Sequence, residues 1–148
     1  SETGIGHYMS KAIVACEVEI DVPFFDVDLM EIVWHGHYVK YFEIARCALL
    51  DKIGYNYMKM RDSGYIWPVI DIRLRYARSA KFGQKIIVHA EISEWENRLK
   101  INYKIVDKLT GSRLTRGYSC QVAVDMATEE MCYESPAILW QKLGLNKP

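Results

Sequence analysis

The chain has 148 residues, half of them hydrophobic and about a quarter charged, which is enough to bury one sizeable core. Its 19 lysines and arginines balance its 19 aspartates and glutamates, so no global charge attracts nucleic acid or an anionic membrane, and self-association is permitted. No apolar run reaches the roughly 18 residues of a membrane helix, and the N-terminus shows no secretory leader pattern. These features predict a soluble, cytoplasmic protein that binds neither nucleic acid nor membrane.

The first ten residues lack periodicity, and we expect residues 1–10 to be disordered or to come from cloning. Residues 11–148 contain no repeat, linker or low-complexity segment, which predicts a single domain. The four cysteines are widely spaced and form no C-x-x-C pair. Cys47 and Cys120 fall within apolar patterns, and we expect both to be small buried residues.

Alternating apolar residues predict a strand over 13–22, which Pro23 ends. Residues 24–34 are interpreted as a loop or a single turn. From position 35 to 53 the period changes to three and four residues, which predicts an amphipathic helix of about five turns. Gly54 is placed to end that helix.

The rest of the chain is dominated by period-two alternation. Residues 55–64 form a connector, and strands are predicted within 66–76, 86–92, 99–105 and 114–126. Pro68 should lie near a strand start or at a sheet edge, Glu96-Asn97 form a tight turn, and Pro136 opens a short C-terminal helix. A strand, a long helix and then a meander of about four strands predict a two-layer α+β domain with a free edge strand.

One segment carries a recognisable pattern. Residues 25–38 read FDVDLMEIVWHGHY, followed by Tyr41-Phe42-Glu43 and Ala45-Arg46. This segment resembles the signature of the 4-hydroxybenzoyl-CoA thioesterase-like branch of the hotdog superfamily, D-x-D-x-x-G-x-V-[YFW]-H-x-x-Y and then F-E-x-A-R. The resemblance implies a hotdog fold, in which an antiparallel sheet of about five strands wraps one long helix. It also implies hydrolysis of an acyl-CoA or acyl carrier protein thioester, without a cofactor, by a homodimer or homotetramer.

The resemblance also implies roles for single residues. Asp28 matches the carboxylate that acts as general base or nucleophile, and His35 matches the catalytic position whose backbone N–H faces the thioester carbonyl oxygen. Tyr38 matches a tyrosine of the first helical turn. Glu31 departs from the pattern, because the family usually has glycine there. Its carboxylate either repels that of Asp28 and raises a pKa, or points to solvent.

The same residues suggest this chemistry without the family. A carboxylate leading into a helix N-terminus supplies both a base and, through the amides around His35, Gly36 and His37, a place for an oxyanion. The alternative is that Asp26 and Asp28 only cap a helical turn, and Asp26 is interpreted as mostly structural. His35-x-His37 could be read as a metal site, but residues i and i+2 do not face each other on a helix, so we expect no metal.

Substrate contacts are assigned more broadly. Trp34, Tyr38, Trp67 and Val69 are candidates for an apolar acyl pocket, although each is more often plain core. In the hotdog family the site lies at a dimer interface, which implies that residues 67–71 face Asp28 of a neighbouring chain. The basic residues either form a solvated face or contact the phosphates of coenzyme A or an acidic carrier protein. These residues are Arg73, Arg75, Arg78, Lys81, Arg98 and Lys100.

Two other functions fit the same fold. A hydroxyacyl-thioester dehydratase or hydratase needs a paired acid and base across the dimer, whereas the D-x-D loop directly before the helix argues for hydrolysis. A non-catalytic acyl-carrier-binding module is the second alternative, for which the departure at Glu31 leaves room. Release of free thiol distinguishes hydrolysis from both.

Overall fold

A computed structural model describes residues 13–33 and 36–148, and its main feature is an antiparallel sheet crossed by one long helix. The predictions for residues 1–10, Trp34 and His35 lie wholly or largely outside these described residues. Within them the predicted α+β architecture of a long helix, five sheet strands and a short C-terminal helix is confirmed. In chain order the elements are β1 (Ala15–Asp21), a 3₁₀ turn (Phe24–Asp26), α1 (His37–Lys52), α2 (Tyr57–Asp62), β2 (Tyr65–Ile66), β3 (Val69–Tyr76), β4 (Lys85–Glu94), β5 (Leu99–Asp107), β6 (Arg113–Gln121), β7 (Val124–Asp125) and α3 (Ala137–Lys142).

The main sheet has the strand order β1-β4-β5-β6-β3. The predicted meander is present from β4 to β6, but the prediction that it includes β3 is wrong, since β3 pairs with β6 at the far edge. The connection 77–84 crosses from that edge and hydrogen-bonds to the loop before α1, with Val33 N donating to Ala80 O at 2.9 Å. This crossing places the loop before α1 beside the end of β3.

Helix α1 covers the inner face of the sheet. The Phe42 ring stacks on Tyr103 of β5, with ring centroids 4.4 Å apart. Gly117 of β6 lies beneath this pair, where a β-carbon would collide with the Arg73 carbonyl oxygen and come within 2.9 Å of the Phe42 ring. Glycine at this position therefore allows both α1 and β3 to approach β6. Gly54 follows α1 with a φ of +71°, which confirms the predicted helix end.

Strand β3 differs from the other long strands because its apolar side chains remain exposed. Ile70, Ile72 and Tyr76 alternate as predicted, yet they are 55 %, 38 % and 46 % exposed, although the Tyr76 ring lies 5.2 Å from that of Tyr38 at the start of α1. Pro68 lies just before β3, which confirms the prediction that it sits near a strand start. Among the described residues of a single chain, no strand pairs with the outer edge of β3, which carries these apolar side chains.

The structure confirms one cysteine prediction and corrects the other. Cys120 is fully buried, whereas Cys47 is exposed because it lies off the buried face of α1. Among the described residues, no helix has the length and hydropathy needed to cross a membrane.

Candidate active site

Asp28 lies at the base of a tight turn that leads toward α1. Val27 pairs with Val33, and Asp28 N donates to Ile32 O at 3.0 Å. Residues 29–31 therefore form a three-residue hairpin loop. Phe82 N donates to Glu31 O at 3.0 Å, so the connection 77–84 fixes the other side of the turn.

The Asp28 carboxylate is held by backbone amides and exposed to solvent. Its Oδ1 accepts hydrogen bonds from Met30 N at 2.8 Å and Ile32 N at 3.3 Å. Its Oδ2 has no hydrogen-bond partner among the described residues and can meet water or a substrate. One oxygen thus orients the group while the other remains available for chemistry.

Apolar side chains surround this turn without covering it. Phe24, Phe25, Leu29 and Met30 are between 72 % and 103 % exposed. The Phe24 ring meets Phe82 edge-on, with centroids 5.7 Å apart. Clusters of large exposed apolar side chains are typical of surfaces that contact another molecule.

The backbone conformation at Glu31 explains why the family that this segment resembles has glycine at this position. Its φ is +61°, in the left-handed region, and it occupies the last residue of the three-residue loop, where glycine is the usual choice. The side chain is exposed, in agreement with the interpretation that it points to solvent. The departure from the pattern therefore introduces backbone strain into the turn.

Asp26, two residues before Asp28, is buried. Its carboxylate accepts hydrogen bonds from Lys40 Nζ at 2.6 Å and the Tyr41 hydroxyl at 2.8 Å, and His37 Nδ1 lies 3.7 Å away. Burial alone would raise the pKa of Asp26, but the bonds from Lys40 and Tyr41 and the nearby charges outweigh it and hold the pKa below its ordinary value. The pKa of the Tyr41 hydroxyl is correspondingly far above its ordinary value, through burial and then its bond to Asp26.

The start of α1 is fixed by its first two turns. Gly36, at the N-cap, has no side chain to cap the helix, and His37 is the first helical residue. Tyr38, predicted to bind substrate, is buried, and its hydroxyl accepts a hydrogen bond from Ala80 N at 2.7 Å. This bond ties α1 to the connection 77–84. Within the described residues, no three potential metal-ligating side chains come together.

Trp67 and Val69 lie in a different region. They line an apolar cavity of about 420 Å³ beside the second half of α1, with Cys47 and Leu50 on the helix side. Gln121 also borders the cavity and donates from Nε2 to Trp67 O at 2.8 Å. Asp28 and its neighbours do not line this cavity, so within one chain the carboxylate and the predicted acyl pocket are separate.

The predicted basic residues divide into two groups. Arg98 is held by Glu94, with its Nε 3.0 Å from Oε1 and a second bond from its terminal nitrogen. Arg73 and Arg75 are exposed and lie on the outer face of the sheet, away from α1. They border an open hollow with cations that sequence reasoning missed, namely Lys104, Arg113 and Arg116. The alternation along β5 could have marked Lys104 as outward-facing, but only the strand register brings these side chains together.

The comparisons with known proteins agree with this fold. A family model described as the Thioesterase-like superfamily matches residues 22–141. The chain is 28% identical over 107 residues to the candidate acyl-CoA thioesterase YneP of Bacillus subtilis (strain 168), covering 72% of this chain and 78% of that protein. It is similar to the crystal structure of DHNA-CoA thioesterase from Staphylococcus aureus, with a TM-score of 0.72, 26% identity and 80% of each chain covered. The 12:0-ACP thioesterase from Umbellularia californica has the same fold, with a TM-score of 0.78 at 16% identity over 88% of this chain and 52% of that one.

Proposed function

Since the chain belongs to the Thioesterase-like superfamily, we propose that this thioester hydrolase cleaves an acyl-CoA or acyl carrier protein thioester with Asp28 as its reactive carboxylate. One observation carries the proposal: Asp28 is held through one oxygen, is open through the other, and lies in an exposed apolar surface. We also propose the finer placement in the 4-hydroxybenzoyl-CoA thioesterase-like branch, which rests on the D-x-D motif and on the glycine-type backbone at Glu31.

The geometry fits two routes to the same products. In the first, Asp28 takes a proton from water as the water oxygen attacks the thioester carbonyl carbon. The tetrahedral intermediate then collapses, the C–S bond breaks, and the leaving thiolate receives the proton from Asp28. In the second, the carboxylate attacks the carbonyl and expels the thiolate, and water hydrolyses the resulting anhydride. Both routes place negative charge on the carbonyl oxygen, which the amides at the start of α1 would stabilise.

We place the acyl group in the cavity beside Trp67, which a second copy of the chain would complete. The cavity is apolar and of a size that accepts an aromatic or medium-length acyl group. The proposed pairing with a second copy is supported by two exposed apolar surfaces, namely the β3 edge and the turn around Asp28. Pairing of two chains through these surfaces would bring Asp28 of one chain to the Trp67 cavity of the other.

The test is thiol release from a panel of short, long and aromatic acyl-CoA and acyl carrier protein thioesters, with wild type and Asp28→Ala side by side. We expect release by the wild type and a loss of about 10³-fold or more in the variant, because a missing nucleophile or base removes the chemical step. Near-normal release by a folded Asp28→Ala protein would reject the assignment. A hydroxyacyl substrate that changes without releasing thiol would instead indicate a dehydratase.

A further inference from the structure

The outer face of the sheet carries a row of cations across three neighbouring strands. Lys104 of β5 lies directly opposite Arg116 of β6, and Arg116 lies directly opposite Arg75 of β3. Arg73 and Arg113 border the same open hollow of about 670 Å³. We call these five side chains the outer basic surface; all five are exposed.

On the other half of the same face, near β1, the charged side chains form ion pairs with each other. At the β1 edge, Glu17 lies 3.0 Å from His89 Nδ1, Glu19 lies 2.8 Å from Lys108, and Asp21 lies 2.9 Å from Lys85. Among the described residues, no cation of the outer basic surface has an ion pair of this kind. The acidic half of the face is therefore neutralised within the chain, whereas the basic half is not.

This arrangement works against the stability of the isolated chain. Like charges directly opposite each other on neighbouring strands repel, and Lys104, Arg116 and Arg75 make two such pairs in a row. Asp71 lies on the same face, two residues before Arg73, but Tyr118 already donates a hydrogen bond to it at 3.2 Å. An anionic partner would offset the repulsion that the chain leaves in place.

The surface also leads to the proposed active site. Strand β3, which carries Arg73 and Arg75, continues into the connection 77–84. Lys81 in that connection pairs with Ile32 of the Asp28 turn. Arg78 and Lys81 are exposed cations on this connection between β3 and the Asp28 turn. A substrate carrier bound on this surface would contact the strand whose continuation pairs with the Asp28 turn.

We propose that the outer basic surface docks the acidic face of an acyl carrier protein that delivers the thioester to Asp28. This inference rests on the proposed function. Fully exposed cations gain little from a small phosphate that stays in water, but a protein surface covers all three strands at once and excludes water between the charges. Because the chain has no net charge, the attraction comes from this local field.

The test changes the surface while keeping the acyl group constant. Octanoyl is presented on acyl carrier protein, on coenzyme A and on pantetheine, and KM and kcat are measured for wild type and Lys104→Glu/Arg116→Glu. The matched control is Lys85→Glu/Lys108→Glu, which makes the same change of charge on the acidic half of the same face. Thermal melting verifies that each variant is folded.

We expect the Lys104→Glu/Arg116→Glu variant to raise KM for the carrier protein substrate about tenfold or more, because charge reversal opposes encounter and docking. Its kcat, and its kinetics on octanoyl-pantetheine, should stay within about twofold of wild type, as should the control on all three substrates. Added salt should raise the wild-type KM for the carrier protein substrate alone. An unchanged KM for the carrier protein would overturn the proposal. So would an effect confined to octanoyl-CoA, which would assign the surface to coenzyme A phosphates, or an equal loss on pantetheine, which would assign it to the active site.

Direct binding separates this inference from the proposed function. Fluorescence anisotropy of labelled octanoyl-carrier protein, titrated with the Asp28→Ala protein, reports docking without turnover. Binding that the Lys104→Glu/Arg116→Glu changes abolish supports the surface even if the wild type releases no thiol. Binding that survives those changes overturns the surface even if the wild type is an active hydrolase.

Discussion

Asp26 and Asp28 are separated by one residue, and the structure gives their carboxylates opposite environments. Asp26 is buried, with one oxygen bonded to Lys40 and the other to Tyr41. Asp28 is exposed, and backbone amides of its own turn occupy only one of its oxygens. The Asp26 carboxylate joins the loop to α1. The Asp28 carboxylate is exposed on the same loop.

The different environments of Asp26 and Asp28 suit the two carboxylates to different tasks, one structural and one chemical. A carboxylate whose oxygens both accept charge-assisted or hydroxyl bonds is stabilised as an anion, which makes it a weak base. A carboxylate bound through one oxygen keeps a fixed direction and a free lone pair. Substitutions at the two positions should therefore affect different measurable properties, and the largest effect is expected at Asp28.

Asp28→Asn should abolish catalysis and spare the fold. The amide oxygen can still accept from Met30 N and Ile32 N, so the turn is retained, but the amide neither deprotonates water nor attacks a thioester. We expect kcat to fall about 10³-fold or more while the free energy of unfolding changes by less than about 0.5 kcal/mol. Thiol release and urea unfolding measure the two quantities. Turnover within about tenfold of wild type in a folded variant would mean that Asp28 is not the reactive group.

Asp26→Ala should show the reverse pattern. The change leaves the buried Tyr41 hydroxyl without its acceptor, which costs about 1–3 kcal/mol. Urea unfolding should show this loss, and activity per folded molecule should fall less than in Asp28→Asn. Tyr41→Phe, which removes the hydroxyl from the same pair, is the matched control. An Asp26→Ala protein with wild-type stability and no activity would mean that Asp26 acts in the reaction and does not stabilise the fold.

Sequence reasoning could predict the elements and the candidate carboxylate. The change of period at position 35 and the alternation after position 66 depend on local residue order, which is why the helix and the strands were found. The D-x-D motif likewise identified Asp28 as the candidate without structural information.

The remaining features depend on contacts between distant residues. That Asp26 is the buried carboxylate follows from Lys40 and Tyr41, which lie 14 and 15 positions later. β3 lies beside β6 because the two strands pair although they are far apart in the chain, and no local pattern specifies that pairing. The same register forms the outer basic surface, so sequence alone found Arg73 and Arg75 but not their neighbours.

Acid should reduce the stability of the fold through Asp26. Because the folded-state pKa of Asp26 is below its ordinary value, the unfolded chain binds more protons as the pH falls through about 4, and the folded state loses stability there. This contribution is fully present above the unfolded pKa. Urea unfolding between about pH 5 and pH 2.5 should therefore show a steeper loss for wild type than for Asp26→Asn, which has no proton to bind. Parallel curves would mean that Asp26 does not stabilise the fold through its charge.

The smallest effect is expected from relieving the strain at Glu31. A non-glycine residue at a φ of +61° costs about 1–2 kcal/mol, part of which is offset by the greater freedom of glycine in the unfolded chain. Glu31→Gly should therefore be more stable than Glu31→Ala by up to about 1 kcal/mol, although both remove the carboxylate. Glu129→Gly, at the other described non-glycine residue with a φ of +61°, is the control away from Asp28. If Glu31→Ala and Glu31→Gly are equally stable, the turn is not strained. If both lose activity equally, the Glu31 carboxylate itself acts in the reaction.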